Sequence, residues 1–174
     1  MSGLLARWPA WAPRVLGLSA ALWVTVPGVV RPAEPGVLGN VNLIFHEAGH
    51  VLLMWAGETV TLLGGSLTQV LVPAGCVAAF LWRRDRFSAG VVTLWLGHAL
   101  AGVGAYIQDA PQRNLPLITG DPDTHDWWQL LSGWNALGAA DSLGRFTLAL
   151  AFVAVIAGTL LAVWDDLQER PDEP

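Results

Sequence analysis

The sequence predicts an all-α fold, a polytopic transmembrane helix bundle of about five spans, on three observations. Of the 174 residues, 53% are hydrophobic and only 13% are charged, about half the charged share of an average soluble domain. The charges are separated by long uncharged runs, most of them near the length that a helix needs to cross a bilayer. Several of the ten tryptophans lie at the ends of these runs, where an indole ring suits the headgroup region.

Net charge and cysteine content exclude several other classes of protein. Nine arginines, no lysine and fourteen acidic residues give a net charge of −5, so we expect no nucleic-acid partner, because that would need a basic face. The composition is too apolar for a disordered chain. A single cysteine, Cys76, rules out both an intrachain disulfide and a CxxC metal site.

The five predicted spans follow from the spacing of the charges along the chain. A helix rises about 1.5 Å per residue, so about 20 residues cross a hydrocarbon core of roughly 30 Å. The second run differs from the others because His46, Glu47 and His50 interrupt it. In order, the runs cover residues 15–30, 37–56, 59–82, 87–108 and 146–164.

The remaining segments complete one integral membrane domain over residues 1–174. Trp8 and Trp11 mark the N-terminal segment as interfacial, because both precede the first apolar run. The segment 58–63 is rich in β-formers and is followed by two glycines, which predicts a short extended turn or edge element. The predicted segments are thus an interfacial stretch at 1–14, this turn at 58–63, a short re-entrant or interfacial helix near 127–138 and an acidic, solvated tail at 165–174.

The motif H-E-x-x-H at His46, Glu47 and His50 is the most informative feature for function. Residues four apart share one face of a helix, so both imidazoles can reach a single metal ion. Glu47 is rotated by about 100° from His46, where it can approach a metal-bound water without being a ligand. Two histidines and a glutamate are costly at membrane depth unless they are paired, bind a metal or face a water-filled cavity.

A catalytic zinc ion usually has three protein ligands and a water, so a third ligand is expected elsewhere in the chain. His125 and Asp126 are adjacent at the start of a predicted short helix, and Asp109 ends the fourth span. We favour the pair at 125–126, with Asp109 as the next candidate. His98 lies in the middle of its span, where a histidine is more often a hydrogen-bonded interior residue than a ligand.

Structural roles are an open alternative for several of these polar residues. Asp109 is placed to cap the following turn, and Asp126 to be the N-cap of the next helix. Three further residues, Asn42, Ser66 and Gln69, are candidates for orienting a ligand or binding substrate. For each of these three alone, an interhelical hydrogen bond is the favoured interpretation.

The motif His46-Glu-Ala-Gly-His50 in an apolar helix, with an acidic ligand region later in the chain, resembles the site-2 protease type of intramembrane zinc metallopeptidase. That resemblance implies an Asp ligand from a second helix and cleavage of transmembrane or membrane-tethered substrates. The chain is also similar to small uncharacterised bacterial membrane proteins, which implies a shared site and a location in the bacterial plasma (inner) membrane. The motifs shared with them are HEAGH, Gly64-Gly-Ser-Leu-Thr-Gln69, Asp109-Ala, Leu115-Pro-Leu117 and His125-Asp-Trp127.

The expected function is hydrolysis of peptide bonds in membrane-associated substrates by a membrane-embedded zinc metallopeptidase. His46 and His50 bind Zn²⁺ in this hypothesis, and Glu47 is the general base and acid. The third ligand is His125, Asp126 or Asp109. The expected partners are the lipid bilayer and a membrane-protein or peptide substrate. The alternative is a non-catalytic integral membrane protein that binds or senses a metal ion, using the same histidines without needing a base.

Overall fold

The computed structural model describes residues 11–168, with side chains described to residue 164, and shows an all-α bundle. No β-strand occurs among these residues. Short 3-10 turns connect some of the six α-helices. The helices are α1 (Ala12–Val30), α2 (Gly36–Leu53), α3 (Glu58–Trp82), α4 (Arg86–Asp109), α5 (Asp126–Gly133) and α6 (Ala140–Gln168).

Four of the five predicted spans are helices long and apolar enough to cross a membrane, namely α1, α3, α4 and the last helix over Leu137–Trp164. Helices of this length and composition are typical of a membrane protein. The predicted second span, α2, has 18 residues but is not among the four. Its two histidines, its glutamate and its asparagines lower its hydropathy, and these are the residues that carry the predicted chemistry.

The prediction of an extended element at 58–63 is wrong, because these residues form the first turns of α3. Gly57 has a φ of 92°, which lets the chain turn sharply just before the helix starts. Glu58 then places a negative charge in the first turn, which favours the helix dipole. Thr61 donates a hydrogen bond from its hydroxyl to the Gly57 carbonyl at 2.9 Å, so its β-branched side chain is accommodated within the helix.

The short helix predicted near 127–138 is confirmed over a smaller range. The helix α5 covers Asp126–Gly133, and a 3-10 turn at Leu137–Ala139 then leads into α6.

The predicted terminal segments are described only in part. The helix α1 begins at Ala12, inside the predicted interfacial segment 1–14, whose first ten residues lie outside the described part. The helix α6 continues to Gln168, through the start of the predicted tail 165–174, and the rest of that tail lies outside the described residues.

The helix α4 is the centre of the bundle and contacts α1, α2, α3, α5 and α6. It runs antiparallel to α6, and glycines on the two helices let their backbones meet. A Cβ at Gly90 would lie 2.6 Å from the carbonyl oxygen of Gly158, and one at Gly104 would lie 3.0 Å from that of Gly144. Small residues at such contacts are how helices pack closely within a membrane, where burial of apolar surface supplies little net force.

A second close contact fixes the helix that carries the motif. A Cβ at Gly49 on α2 would lie 2.1 Å from the carbonyl oxygen of Gly64 on α3. The two helices therefore touch backbone to backbone one residue before His50. This contact brings the imidazoles of α2 against the start of α3 and fixes the direction in which they point.

Candidate metal centre

Three side chains from distant parts of the sequence converge at the inner face of α2. His46 and His50 lie one turn apart, with ring centroids separated by 4.8 Å. Asp126, the first residue of α5, places its Oδ2 atom 2.9 Å from Nε2 of His46 and 3.2 Å from Nε2 of His50. The group is largely shielded from solvent, since Asp126 is 7% exposed as a residue and His46 likewise. These three residues can together hold a metal ion.

Hydrogen bonds to the far sides of the two rings determine which nitrogens face the centre. Nδ1 of His50 lies 2.8 Å from the carbonyl oxygen of Thr61, and Nδ1 of His46 lies 3.3 Å from Oε1 of Gln69. Both partners are acceptors, because the Gln69 amide nitrogen donates to the Ala99 carbonyl at 3.0 Å. Each Nδ1 therefore donates, and Nε2 of each ring faces Asp126, where it donates a hydrogen bond when it carries a proton and can bind a metal ion when it does not.

When neither Nε2 carries a proton, two lone pairs and a carboxylate oxygen face one another, and a cation between them removes their repulsion. Around a tetrahedral zinc ion, ligand atoms at 2.0–2.1 Å from the metal are about 3.3 Å apart. The two nitrogen–oxygen distances of 2.9 and 3.2 Å are close to that value. The donor set and these two distances are compatible with a small divalent ion, and the 2.9 Å contact is also an ordinary hydrogen-bond length.

Burial opposes ionisation of Asp126, but the neighbouring imidazoles of His46 and His50 outweigh it and hold the pKa of this carboxyl below its usual range. The carboxylate is therefore ionised and available as an anionic ligand. Asp126 is also held through its backbone, because its N–H donates to the hydroxyl of Tyr106 at 3.0 Å. The next residue is anchored as well, since the indole N–H of Trp127 donates to the hydroxyl of Ser66 at 3.0 Å.

Gly65 leaves an open space beside the two ligand nitrogens. A Cβ at this position would lie 2.6 Å from Nε2 of both His46 and His50. Real Cβ atoms do not approach other atoms so closely, so any residue other than glycine would displace the imidazoles. The helix α3 thus presents bare backbone at the point where the histidine lone pairs meet.

Glu47 lines the same cavity, a space of about 550 Å³, as His46, His50 and Asp126. The glutamate is exposed on α2, one residue beyond the His46 ligand, and is not part of the close group itself. The cavity is also lined by the apolar loop residues Leu115, Pro116 and Leu117. A carboxylate beside the ion site, facing a cavity with apolar walls, is the arrangement that a proton-transferring residue needs.

The other two candidates for the third ligand lie beside this group rather than in it. His125 is fully buried, and its Nε2 lies 3.4 Å from Oδ2 of Asp109. Asp109 accepts backbone N–H groups from Asn114 at 3.0 Å and Leu115 at 2.9 Å, which is the capping role that its position allows. Among the three candidates, only Asp126 meets both motif histidines.

His98 is a hydrogen-bonded interior residue, as the favoured interpretation predicted. Its Nε2 donates to the carbonyl of Pro35 at 3.0 Å, and its Nδ1 accepts from the amide of Asn42 at 2.9 Å. The indole N–H of Trp95 donates to Oδ1 of Asn42 at 2.7 Å. Asn42, Ser66 and Gln69 all form interhelical hydrogen bonds, and Gln69 also orients a ligand ring.

Sequence reasoning missed Gly65, Thr61 and Tyr106 as contributors to the site. Thr61 takes part through its backbone carbonyl, for which the sequence carries no signal. Tyr106 is the only tyrosine in the chain, and its position three residues before Asp109 places both residues on one face of α4. Gly65 lies within the Gly-Gly pair that was interpreted as part of a turn.

No protein-family model, curated protein or solved structure matches this chain. The resemblance to site-2 proteases therefore rests on the sequence motifs alone.

Proposed function

We propose that this chain is a membrane-embedded zinc metallopeptidase that hydrolyses peptide bonds of membrane-associated substrates. The observation that carries the proposal is the convergence of His46, His50 and Asp126 on one point, with Glu47 lining the same cavity. Two imidazoles and one carboxylate form a set of three protein ligands, which is typical of catalytic rather than structural zinc sites. A structural site would close the fourth position with another side chain.

Each residue has a separate task in this reaction. A zinc ion held here would supply Lewis acidity, which would polarise the peptide carbonyl and make a bound water more acidic. The two histidines and Asp126 hold the ion, and their outer hydrogen bonds to Gln69 and the Thr61 carbonyl keep the rings in place. Glu47 accepts a proton from the attacking water and delivers it to the nitrogen of the leaving amine, so that the proton is conserved.

The surroundings of the centre support a peptide substrate at a membrane. The cavity volume of about 550 Å³ lies within the range of binding sites that enclose a small ligand or a short peptide segment. Its walls combine apolar side chains such as Leu43 and Leu117 with polar groups such as Asn40 and Gln129. Four candidate spans keep the centre at a bilayer, and the sequence resemblance to bacterial proteins favours the bacterial plasma membrane.

The test compares wild type with Glu47→Gln after purification in detergent. Both proteins are assayed for zinc content and for cleavage of a quenched-fluorescent library of apolar peptides. We expect Glu47→Gln to keep its zinc and to lose about 10²–10⁴-fold in cleavage rate, since it removes the proton-transferring group alone. The matched control is Glu34→Gln, because Glu34 is an exposed glutamate paired with Arg31.

Two results would count against the proposal, and each has a distinct meaning. Full activity in Glu47→Gln would refute the assigned mechanism. Zinc in the wild type without cleavage of any library peptide would favour the non-catalytic metal-binding alternative.

A further inference from the structure

The ring of His125 has no lone pair to offer a metal ion. Its Nδ1 accepts the backbone N–H of Trp128 at 3.2 Å, which makes His125 the N-cap of α5. A ring nitrogen that accepts a hydrogen bond carries no proton, so the single proton of the neutral ring is on Nε2. His125 thus precedes the ligand candidate Asp126 in the chain, but its own ring caps α5.

Nε2 of His125 lies beside the carboxylate of Asp109. It lies 3.4 Å from Oδ2 of that carboxylate, longer than an ordinary hydrogen bond, and Nε2 has no other partner although it is fully buried. Asp109 in turn accepts the N–H groups of Asn114 and Leu115, which begin the loop segment that lines the cavity. One carboxylate therefore contacts both the cap of α5 and the cavity wall.

Tyr106 connects this pair to the ligand group. Its ring packs on that of His125 with centroids 4.1 Å apart, and its hydroxyl accepts the N–H of Asp126. The edge of the same ring approaches His46, at a centroid distance of 5.7 Å. The phenol ring thus contacts both His125 of the buried pair and the group of ligand candidates.

We propose that His125 and Asp109 form a positioning pair, which fixes the direction of the Asp126 carboxylate and joins this ligand to the cavity wall. The inference rests on the proposed metal site. Its physical basis is the length of α5, since a helix of eight residues is marginal without an N-cap and tertiary contacts. Asp126 is the first residue of that helix, so the cap at His125 determines where its side chain points.

The test measures zinc affinity, by competition with a chromophoric chelator, in His125→Asn, Asp109→Ala and the double variant. Asparagine is a good N-cap but does not reproduce the contact with Asp109, so His125→Asn keeps α5 and loses only the pair. We expect zinc binding to weaken by about 10–100-fold in each single variant, as is usual when a group that orients a ligand is removed. The zinc affinity of the double variant should be no lower than that of the single variant that binds zinc more weakly, because both changes break the same contact.

A second measurement separates positioning from direct ligation. X-ray absorption at the zinc edge should show the same number of imidazole ligands in His125→Asn as in wild type, whereas a zinc-bound His125 would leave one imidazole fewer. The Michaelis constant should rise in Asp109→Ala but not in His125→Asn, because only Asp109 holds the cavity wall. The control is Asp141→Asn, a change at a carboxylate that pairs with Arg145 in solvent.

The possible outcomes are distinguishable from failure of the proposed function. Unchanged zinc affinity in both single variants, or losses that add in the double variant, would overturn the positioning pair and leave the metal centre intact. A wild-type protein that binds no zinc would overturn the metal centre, and the positioning pair with it. Loss of an imidazole from the zinc shell of His125→Asn would show that His125 is a ligand instead.

Discussion

Replacing Gly65 with alanine tests whether the histidine pair is built for a metal ion. The added Cβ would lie 2.6 Å from Nε2 of both His46 and His50, whereas real Cβ contacts lie at 3.0 Å or beyond and usually above 3.4 Å. Each ring must therefore retreat by about 0.4–0.8 Å. Zinc–ligand distances in well-formed sites stay within about 0.2 Å of their ideal values, so a shift of this size exceeds what the site tolerates.

We expect Gly65→Ala to bind zinc at least about 100-fold more weakly than wild type, because the two rings can no longer meet at one point. The rings are the free ends of flexible side chains, so the fold should survive. The matched control is Gly75→Ala on the same helix, where an added Cβ meets nothing within 4 Å. Chelator competition gives the affinities, and circular dichroism monitors the helical content. Zinc affinity that is equal in Gly65→Ala and Gly75→Ala would refute this reasoning.

Three further predictions test the packing, a helix cap and the support of the first ligand. Gly158→Ala forces a Cβ to 2.6 Å from the backbone carbonyl of Gly90, so thermal unfolding in detergent should show a free energy of unfolding lower by about 1–3 kcal/mol. An unchanged melting temperature would contradict the close contact of α4 and α6. Hydrogen bonds from the side chain and the backbone N–H of Ser88 lower the pKa of Asp85 in the folded protein. The stabilisation by this cap is therefore complete above a pH of about 4, near the unfolded pKa, and is lost as the pH falls through the lower pKa of the folded state. Acid unfolding of Asp85→Asn should lack this loss of stability, and an identical acid profile in wild type and Asp85→Asn would contradict the role of the cap. Gln69→Ala removes the acceptor of the first ligand ring and should weaken zinc binding by about 10–100-fold in the chelator assay, whereas full affinity would show that this hydrogen bond does not support the site.

The helical bundle could be predicted from the sequence because the spacing of the charges shows which uncharged runs are long enough for an apolar helix to cross a membrane. The prediction was wrong at 58–63, where β-branched residues suggested an extended chain. Within the bundle these residues lie at the start of α3, after the sharp turn at Gly57. Local propensity is a weak guide wherever helix packing decides the conformation.

The candidate ligands were predictable to different degrees. His46 and His50 follow from a single local rule, the periodicity of a helix. The third ligand was narrowed to His125, Asp126 and Asp109, but the choice depends on the direction in which α5 starts. That direction is set by contacts between residues distant in sequence, such as the hydrogen bond from Asp126 to Tyr106.

The open space that Gly65 leaves beside the two imidazoles could not be predicted from the sequence, for a similar reason. It exists because α2 and α3 meet at Gly49 and Gly64, a tertiary contact that no local pattern in the sequence encodes. The glycine pair at 64–65 serves two separate needs, since Gly64 lets the backbones touch and Gly65 leaves room beside the imidazoles. Both roles depend on how α2 and α3 pack against each other.

The most direct measurement of the central claim is the composition of the zinc shell in the wild-type protein. Protein purified without chelator should contain one zinc ion per chain, and X-ray absorption should report two imidazole nitrogens at about 2.0–2.1 Å and one carboxylate oxygen at about 2.0–2.2 Å. In Asp126→Asn, the ion should be bound far more weakly. A wild-type protein that takes up no zinc, or one that binds zinc equally well after Asp126→Asn, would contradict the assignment of His46, His50 and Asp126 as the metal centre.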